Sequence, residues 1–204
     1  MKQIVILVYD GFDELDAIAP FEVFENAADA GADCSATLRT LERTERVTAS
    51  HGLRIEPDGI LDGTDPDLLL VPGGGWYDRE SPGAWTVAEE GVVPETIAQY
   101  HDRGTAIAGV CTGGMILARA GILDGRPAVT HGGALDDLRE TAVNVVEARV
   151  VDDGDVLTAG GVTSGLDLAF HLVEREFGEE IAETVSTEME YEPRGAVHSG
   201  SGRP

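Results

Sequence analysis

Cys111 stands where a short apolar run gives way to glycine. Thr105–Val110, TAIAGV, reads as a strand buried on both faces. Thr112-Gly113-Gly114 then opens a segment carrying Met115, Ile116, Ala118 and Ala120 and closing at Gly121. A side chain on such a strand-to-helix turn lies at the carboxyl end of a strand and the amino end of a helix. Free N–H groups and the helix dipole there favour negative charge. A thiol at that point is expected to ionise more readily than a free one, as the sulfur version of a nucleophile elbow. The competing reading is a buried, inert cysteine.

Asp16 is the second candidate. It sits in ELDAIAP, with Leu15, Ala17, Ile18 and Ala19 around it. A carboxyl in an apolar setting has a raised pKa and can hold a proton near neutrality. Protonated, Asp16 could donate to a Cys111 thiolate and later pass that proton to substrate; otherwise it is one surface acid among 38. Asp13 and Glu14 read as charges at a helix start. Pro72-Gly73-Gly74-Gly75 could offer backbone N–H groups to a developing oxyanion, or be a flexible turn or a phosphate cradle. It lacks the lysine of a P-loop and the spacing of a dinucleotide fingerprint, which argues against nucleotide binding. Thr112 offers the sulfur both an N–H and a hydroxyl. His131, at the end of a strand, fits a general base, a ring that orients substrate, or a structural histidine. His51, His101, His171 and His198 carry weaker signals, and His171 falls within a helical pattern. Cys34, between Asp33 and Ser35, reads as non-catalytic.

The elements that must position these groups alternate along the chain. Gln3–Tyr9 is a first strand, and a helix starts at Glu14, with Pro20 expected to kink it or begin a second one. Ala36–Leu41, Val47–Ala49 and Asp67–Val71 read as strands, and residues 76–91 as a loop with little regular structure. Pro94 is expected to open a helix running to about Arg103. Ala128–Thr130 is a short strand, while Val145–Val151 and Val156–Ala159 flank a turn-rich centre like a hairpin. Gly160-Gly161 leads into a helix with Leu166, Ala169, Phe170 and Val173 on its apolar face, and a last helix covers Glu179–Met189. Residues 1–190 are expected to form one domain and residues 191–204 an extended tail. Such alternation implies a mostly parallel sheet covered on both faces, with ligands beyond the carboxyl ends of its strands. Residues 10–16, 72–76, 111–114 and 160–164 all fall there, and this convergence favours a working Cys111.

Composition narrows the partners. Acidic residues number 38 against 14 basic ones, a formal net charge of −24, and Lys2 is the only lysine. Such a charge repels nucleic acid and anionic membrane. With 42% hydrophobic residues the chain is not of disordered type. An acid-coated surface kept soluble in high salt, as in a halophile's cytoplasm, fits the balance. Two cysteines make neither a disulfide framework nor a metal-ligand spacing. The opening MKQIVILVYDG is too short in its apolar run for a signal peptide or a spanning helix, so a cytoplasmic location is expected.

The strings GVCTGG, VPGGG, ELDAIAPFEVF and LTAGGVTSGLDLAFHLVERE together resemble the ThiJ/PfpI superfamily, in family order and over nearly the whole chain. The resemblance implies a flavodoxin-like α/β/α sandwich, usually dimeric, with a cysteine on the elbow and an acidic partner from the first helix. By motif position Cys111 and Asp16 match that pair, Gly74 lies in the glycine turn near the thiol, and His131 matches a histidine many members carry. Thr112 stands where peptidase-like PfpI members have histidine. That threonine, an aspartate at 16, and the FEVF and EYEP segments look more like the isocyanide hydratase branch, itself similar to the sensory domains of AraC-type regulators. With Pro204 as the last residue read, no helix-turn-helix domain is expected. Those hydratases follow the histidine with a bulky aromatic residue, whereas this chain has Gly132-Gly133, a departure that bears on pocket shape and substrate. The implied activity is a cofactor-independent, metal-free cysteine enzyme that hydrates a small electrophile, an isocyanide, to an N-formamide. Backbone N–H groups of Thr112 and Gly74 would stabilise the intermediate. Conversion of methylglyoxal to lactate, and a sensor whose Cys111 oxidises to a sulfinic acid held by Asp16, are the alternatives.

Overall fold

The computed structural model describes residues 1–200. Strand β1 (Lys2–Leu7) alternates its side chains, so that Ile4 and Ile6 enter one core layer and Val5 and Leu7 the other. Helix α1 (Glu14–Asp29) returns the chain to β2 (Cys34–Thr40), parallel to β1. Next come the antiparallel pair β3 (Val47–Thr48) and β4 (Arg54–Ile55), the short β5 (Gly59–Ile60) and β6 (Leu68–Val71). Helices α2 (Ala84–Glu90) and α3 (Val92–Asp102) lead to β7 (Ala106–Val110), which runs into α4 (Gly113–Arg119). Then follow β8 (Pro127–Ala128), a 3-10 turn at Gly132–Ala134 joined to α5 (Leu135–Arg139), and β9 (Asn144–Val145). Strands β10 (Val150–Asp152) and β11 (Val156–Ala159) precede α6 (Ser164–Phe177), α7 (Glu179–Glu188) and β12 (Val197–Ser199).

The main sheet has the order β12-β10-β11-β7-β6-β1-β2-β5, and only the β10–β11 pair is antiparallel. One face packs on α1, α6 and α7 through Val23, Phe24, Leu168, Phe170 and Val185. The other packs on α2 to α5 through Ala84, Ile97, Ile116, Leu117 and Leu138. This is the mostly parallel sheet covered on both faces that the alternation implied, and the flavodoxin-like α/β/α sandwich that the resemblance implied. Among the described residues no helix is long and apolar enough to cross a membrane.

Several expectations about elements need correction. Helix α1 runs unbroken through Pro20. The bond Pro20 cannot donate is the one to the carbonyl of Asp16. Tertiary packing compensates, since Pro20 is buried where α1 meets Gly165 of α6. The segment 76–91 is not all loop, because burial of Ala84 and Ala88 draws seven of its residues into α2 between Gly83 and Gly91. With α3 starting at Val92, Pro94 falls inside the first turn rather than opening it. Beyond residue 190, Val197–Ser199 forms β12 beside β10, and Asp167 pins the segment by accepting from Arg194 N–H at 2.5 Å and the Tyr191 hydroxyl at 3.1 Å. The hairpin is present, but its first strand is shorter than expected, since Val145 belongs to β9 and pairs with β8.

Candidate active site

Four strand ends converge on Cys111. Its backbone holds φ at 58°, a left-handed conformation that costs a non-glycine residue about 1–2 kcal/mol. Bonds on both sides hold the elbow in place. The Cys111 N–H donates to the carbonyls of Ala159 (3.1 Å) and Gly160 (2.9 Å) at the end of β11. Its carbonyl accepts from the Thr130 hydroxyl at 2.9 Å and from Gly114 N–H at 3.2 Å. The elbow also presses on the end of β6, where a Cβ on Gly113 would lie 2.1 Å from the Val71 carbonyl oxygen. Only glycine fits there.

Asp16 reaches the same point from the first turn of α1 and is fully buried. One carboxyl oxygen, Oδ2, accepts the Gly73 N–H at 3.0 Å; the other, Oδ1, has no nitrogen or oxygen partner. Burial, and then the charge of Asp13, push its pKa up to about 8. Cys111, 5% exposed, is coupled to it: burial and then the Asp16 charge push the thiol up to about 12. Backbone N–H groups of Val162 and Thr112 act in the opposite direction on the sulfur. The thiol is therefore not the easily ionised group that its place on the elbow predicts. The favourable N–H groups are present, but desolvation and a facing carboxyl outweigh them. The pair titrates as one unit. It keeps both protons at neutrality and gives up the first near 8. Once a proton sits on Asp16, the repulsion against a thiolate is gone while the two N–H groups remain.

The glycine turn positions this pair rather than serving the sulfur. Gly74 N–H donates to the Thr112 hydroxyl at 2.9 Å. Two expectations thus change: Gly74 N–H is already engaged and unavailable to an oxyanion, and the Thr112 hydroxyl faces the turn while its N–H faces sulfur. The turn is also tight, since a Cβ on Gly74, whose φ is 122°, would lie 2.4 Å from the Gly11 carbonyl oxygen. His131 is brought to the neighbouring loop, with no hydrogen bond to Cys111 among the described residues. Its ring lies so close to Gly161 that a Cβ there would be 2.8 Å from Cδ2. Its Nδ1 accepts Gly133 N–H at 3.1 Å, so a neutral ring carries its proton on Nε2.

Two groups in the site have no motif to announce them. Val162, with φ at 20°, aims its N–H at the sulfur from the turn before α6; the segment was visible as Gly160-Gly161, the residue was not. Tyr9 donates its hydroxyl to the carbonyls of Pro72 (2.7 Å) and Gly73 (3.3 Å). Burial, then Asp16 and Cys111, raise that phenol well above its ordinary value, so it stays a donor. The remaining candidates lie apart. Cys34 begins β2, at the opposite end of the sheet, and points at the Phe24 carbonyl 3.6 Å away. His171 bonds Asp152 at 2.7 Å and His101 bonds Asp155 at 2.9 Å, while His198 lies in β12. His51 bonds Glu14 at 2.7 Å. Burial pushes Glu14 up, but the His51 ring and the N–H groups of His51 and Leu53 outweigh it and hold the carboxylate at about 2. Asp13, Glu14 and His51 bring donor atoms within 4.8 Å of one another, yet Glu14 and His51 are engaged with each other.

An α/β/α sandwich with a buried cysteine on a left-handed strand-to-helix elbow, facing a carboxyl from the first helix, defines a class of proteins. The chain belongs to the DJ-1/PfpI family, which it matches over residues 2–175. It is 30% identical to an isonitrile hydratase of Pseudomonas putida over 200 residues, which is 98% of this chain and 82% of that protein. It is 32% identical to the HTH-type transcriptional regulator CdhR of Pseudomonas aeruginosa, over 70% of this chain and only 41% of the regulator. Among solved structures, a ThiJ/PfpI family protein from Pseudomonas syringae superposes with a TM-score of 0.81 at 29% identity, covering 95% of this chain and 76% of that one.

Proposed function

We propose that this chain is a cofactor-independent cysteine enzyme that hydrates an isocyanide to an N-formamide. The observation that carries the reading is the buried Asp16 carboxyl, protonated near neutrality, set against the Cys111 thiol. An isocyanide needs a nucleophile and a proton at its terminal carbon. Sulfur forms the S–C bond as Asp16 places a proton on that carbon, and the thiol proton leaves to the Asp16 carboxylate, giving a thioimidate. Water then adds to the carbon and the nitrogen takes up a proton. The C–S bond breaks as Asp16 protonates the departing sulfur, and the hydroxyl proton passes to the Asp16 carboxylate as the carbonyl forms, which releases R–NH–CHO and restores both groups. The N–H groups of Thr112 and Val162 stabilise sulfur whenever it carries charge. His131, with its proton on Nε2, donates to the substrate nitrogen rather than acting as a base. The chain acts as a homodimer on a small molecule, as its resemblance implies.

The test is product analysis. Wild type in high salt should convert an isocyanide to the N-formamide, seen by mass, with Cys111→Ala inactive and methylglyoxal giving no lactate. Full activity in Cys111→Ala rejects the mechanism, and lactate without formamide selects the glyoxalase-type reaction instead. A sensor is favoured by one further observation: the partnerless Asp16 Oδ1 suits a sulfinic oxygen on Cys111. Peroxide would then give a two-oxygen adduct at Cys111 in a protein that turns nothing over.

A further inference from the structure

A cavity of about 570 Å3 lies between α2, α4 and α5 and includes neither Cys111 nor Asp16. Both tryptophans of the chain, Trp76 and Trp85, line it edge to face, with centroids 5.0 Å apart and planes at 73°. The Trp76 indole N–H donates to Asp137 at 2.6 Å, which fixes that buried ring against Trp85. The guanidinium of Arg79 sits over the Trp85 ring, 3.9 Å from its centroid. Arg79 is exposed and lies in the stretch before α2 that has no helix of its own. The rim carries the carboxylates of Asp124 and Glu140, neither ion-paired among the described residues. Arg119, the other cation of the wall, is paired with Glu89 at 2.5 Å.

From these observations we infer that the Trp76–Trp85 cavity binds a small organic cation, of quaternary ammonium or guanidinium type, in the place where Arg79 now lies. Aromatic faces attract a cation through their quadrupole, and most strongly a cation that gives up its water easily. Carboxylates at the rim favour the same sign and disfavour an anion. Arg79 shows the mode of binding from within the chain, as a tethered cation that an incoming one must displace. The site stands apart from the reaction of Cys111, so it does not depend on which chemistry that residue performs. It is nevertheless joined to it: Trp76 follows the glycine turn directly, and Met115 of the wall lies one turn beyond Cys111.

Because both tryptophans are in the cavity, intrinsic fluorescence of the full chain reports its occupancy. Choline chloride, sodium chloride at equal ionic strength, and 3,3-dimethylbutan-1-ol, the neutral isostere of choline, are titrated in parallel. Choline should give a saturable change and sodium none, with the neutral alcohol weaker by at least about tenfold. Arg79→Ala, at an exposed position where folding is not at stake, should tighten choline binding several-fold by removing the competitor. Trp85→Leu should abolish saturation, read by calorimetry and by Trp76. Equal binding of the alcohol, a response that follows ionic strength alone, or weaker choline binding in Arg79→Ala would each overturn the proposal.

Discussion

Replacing Asp16 by Asn should make this protein more stable at neutral pH and stop its chemistry at the same time. The carboxyl titrates near 8 when folded against 3.8 for a free aspartate. Between those values the folded chain holds a proton that the unfolded chain has released. Stability therefore falls as pH rises from about 4 to about 8, and below 4 both states are protonated and the penalty disappears. At pH 7 the interval is about three units, which amounts to about 4 kcal/mol. Asn has the same shape, keeps an oxygen for the Gly73 N–H and carries no charge, so the penalty goes with the substitution. The expected gain at pH 7 is about 2–4 kcal/mol, or roughly 5–15 °C in Tm for a chain of this size. Urea unfolding of both proteins at pH 4, 5.5, 7 and 8, in constant high salt, measures it. The two curves should meet near pH 4 and diverge steadily above it. A variant less stable than wild type at pH 7, or a difference that does not grow with pH, would show that Asp16 is ionised in the fold and that its coupling to Cys111 is misassigned.

Alkylation of Cys111 by iodoacetamide should rise through a limb near pH 8 or above, since the pair loses its first proton there; a plateau reached below neutrality would contradict the burial argument. Thr112→Val leaves the half-buried Gly74 N–H without its acceptor, which should cost about 1 kcal/mol and loosen the turn that holds Asp16, whereas Thr112→Ser should retain both stability and activity; equal loss in the two variants would assign the role to the methyl group. With a net charge of −24, the chain should unfold at a lower urea concentration in dilute buffer than in molar salt, and an unchanged midpoint would remove the salt-adapted surface from the account.

What the sequence revealed and what it hid separate along a physical line. Groups whose role is set by their own segment were legible: the elbow at Cys111 from a strand meeting glycines, and β1 from its continuous apolar run; Asp16 was named from its apolar neighbours but read equally as a surface acid, and only its burial in the fold separates the two. Groups whose role depends on what arrives from elsewhere were not. Pro20 reads as a kink or a fresh helix start because a helix alone loses a bond there; in the fold one helix spans it, with Pro20 buried against Gly165. Gly74 reads as a free donor because nothing nearby in the chain accepts from it; Thr112 comes from another strand end to do so. Val162 carries no signal, since its N–H matters only by where the turn before α6 lands. The thiol is the sharpest case. A helix N-terminus is a local property and argues for easy ionisation, while desolvation and a carboxyl from α1 are tertiary and argue more strongly against it. The same tertiary contact that raises the thiol also holds a proton beside it. Nucleophile strength at Cys111 is therefore better read from the proton on Asp16 than from the elbow itself, and Asp16→Asn is the substitution that separates the two.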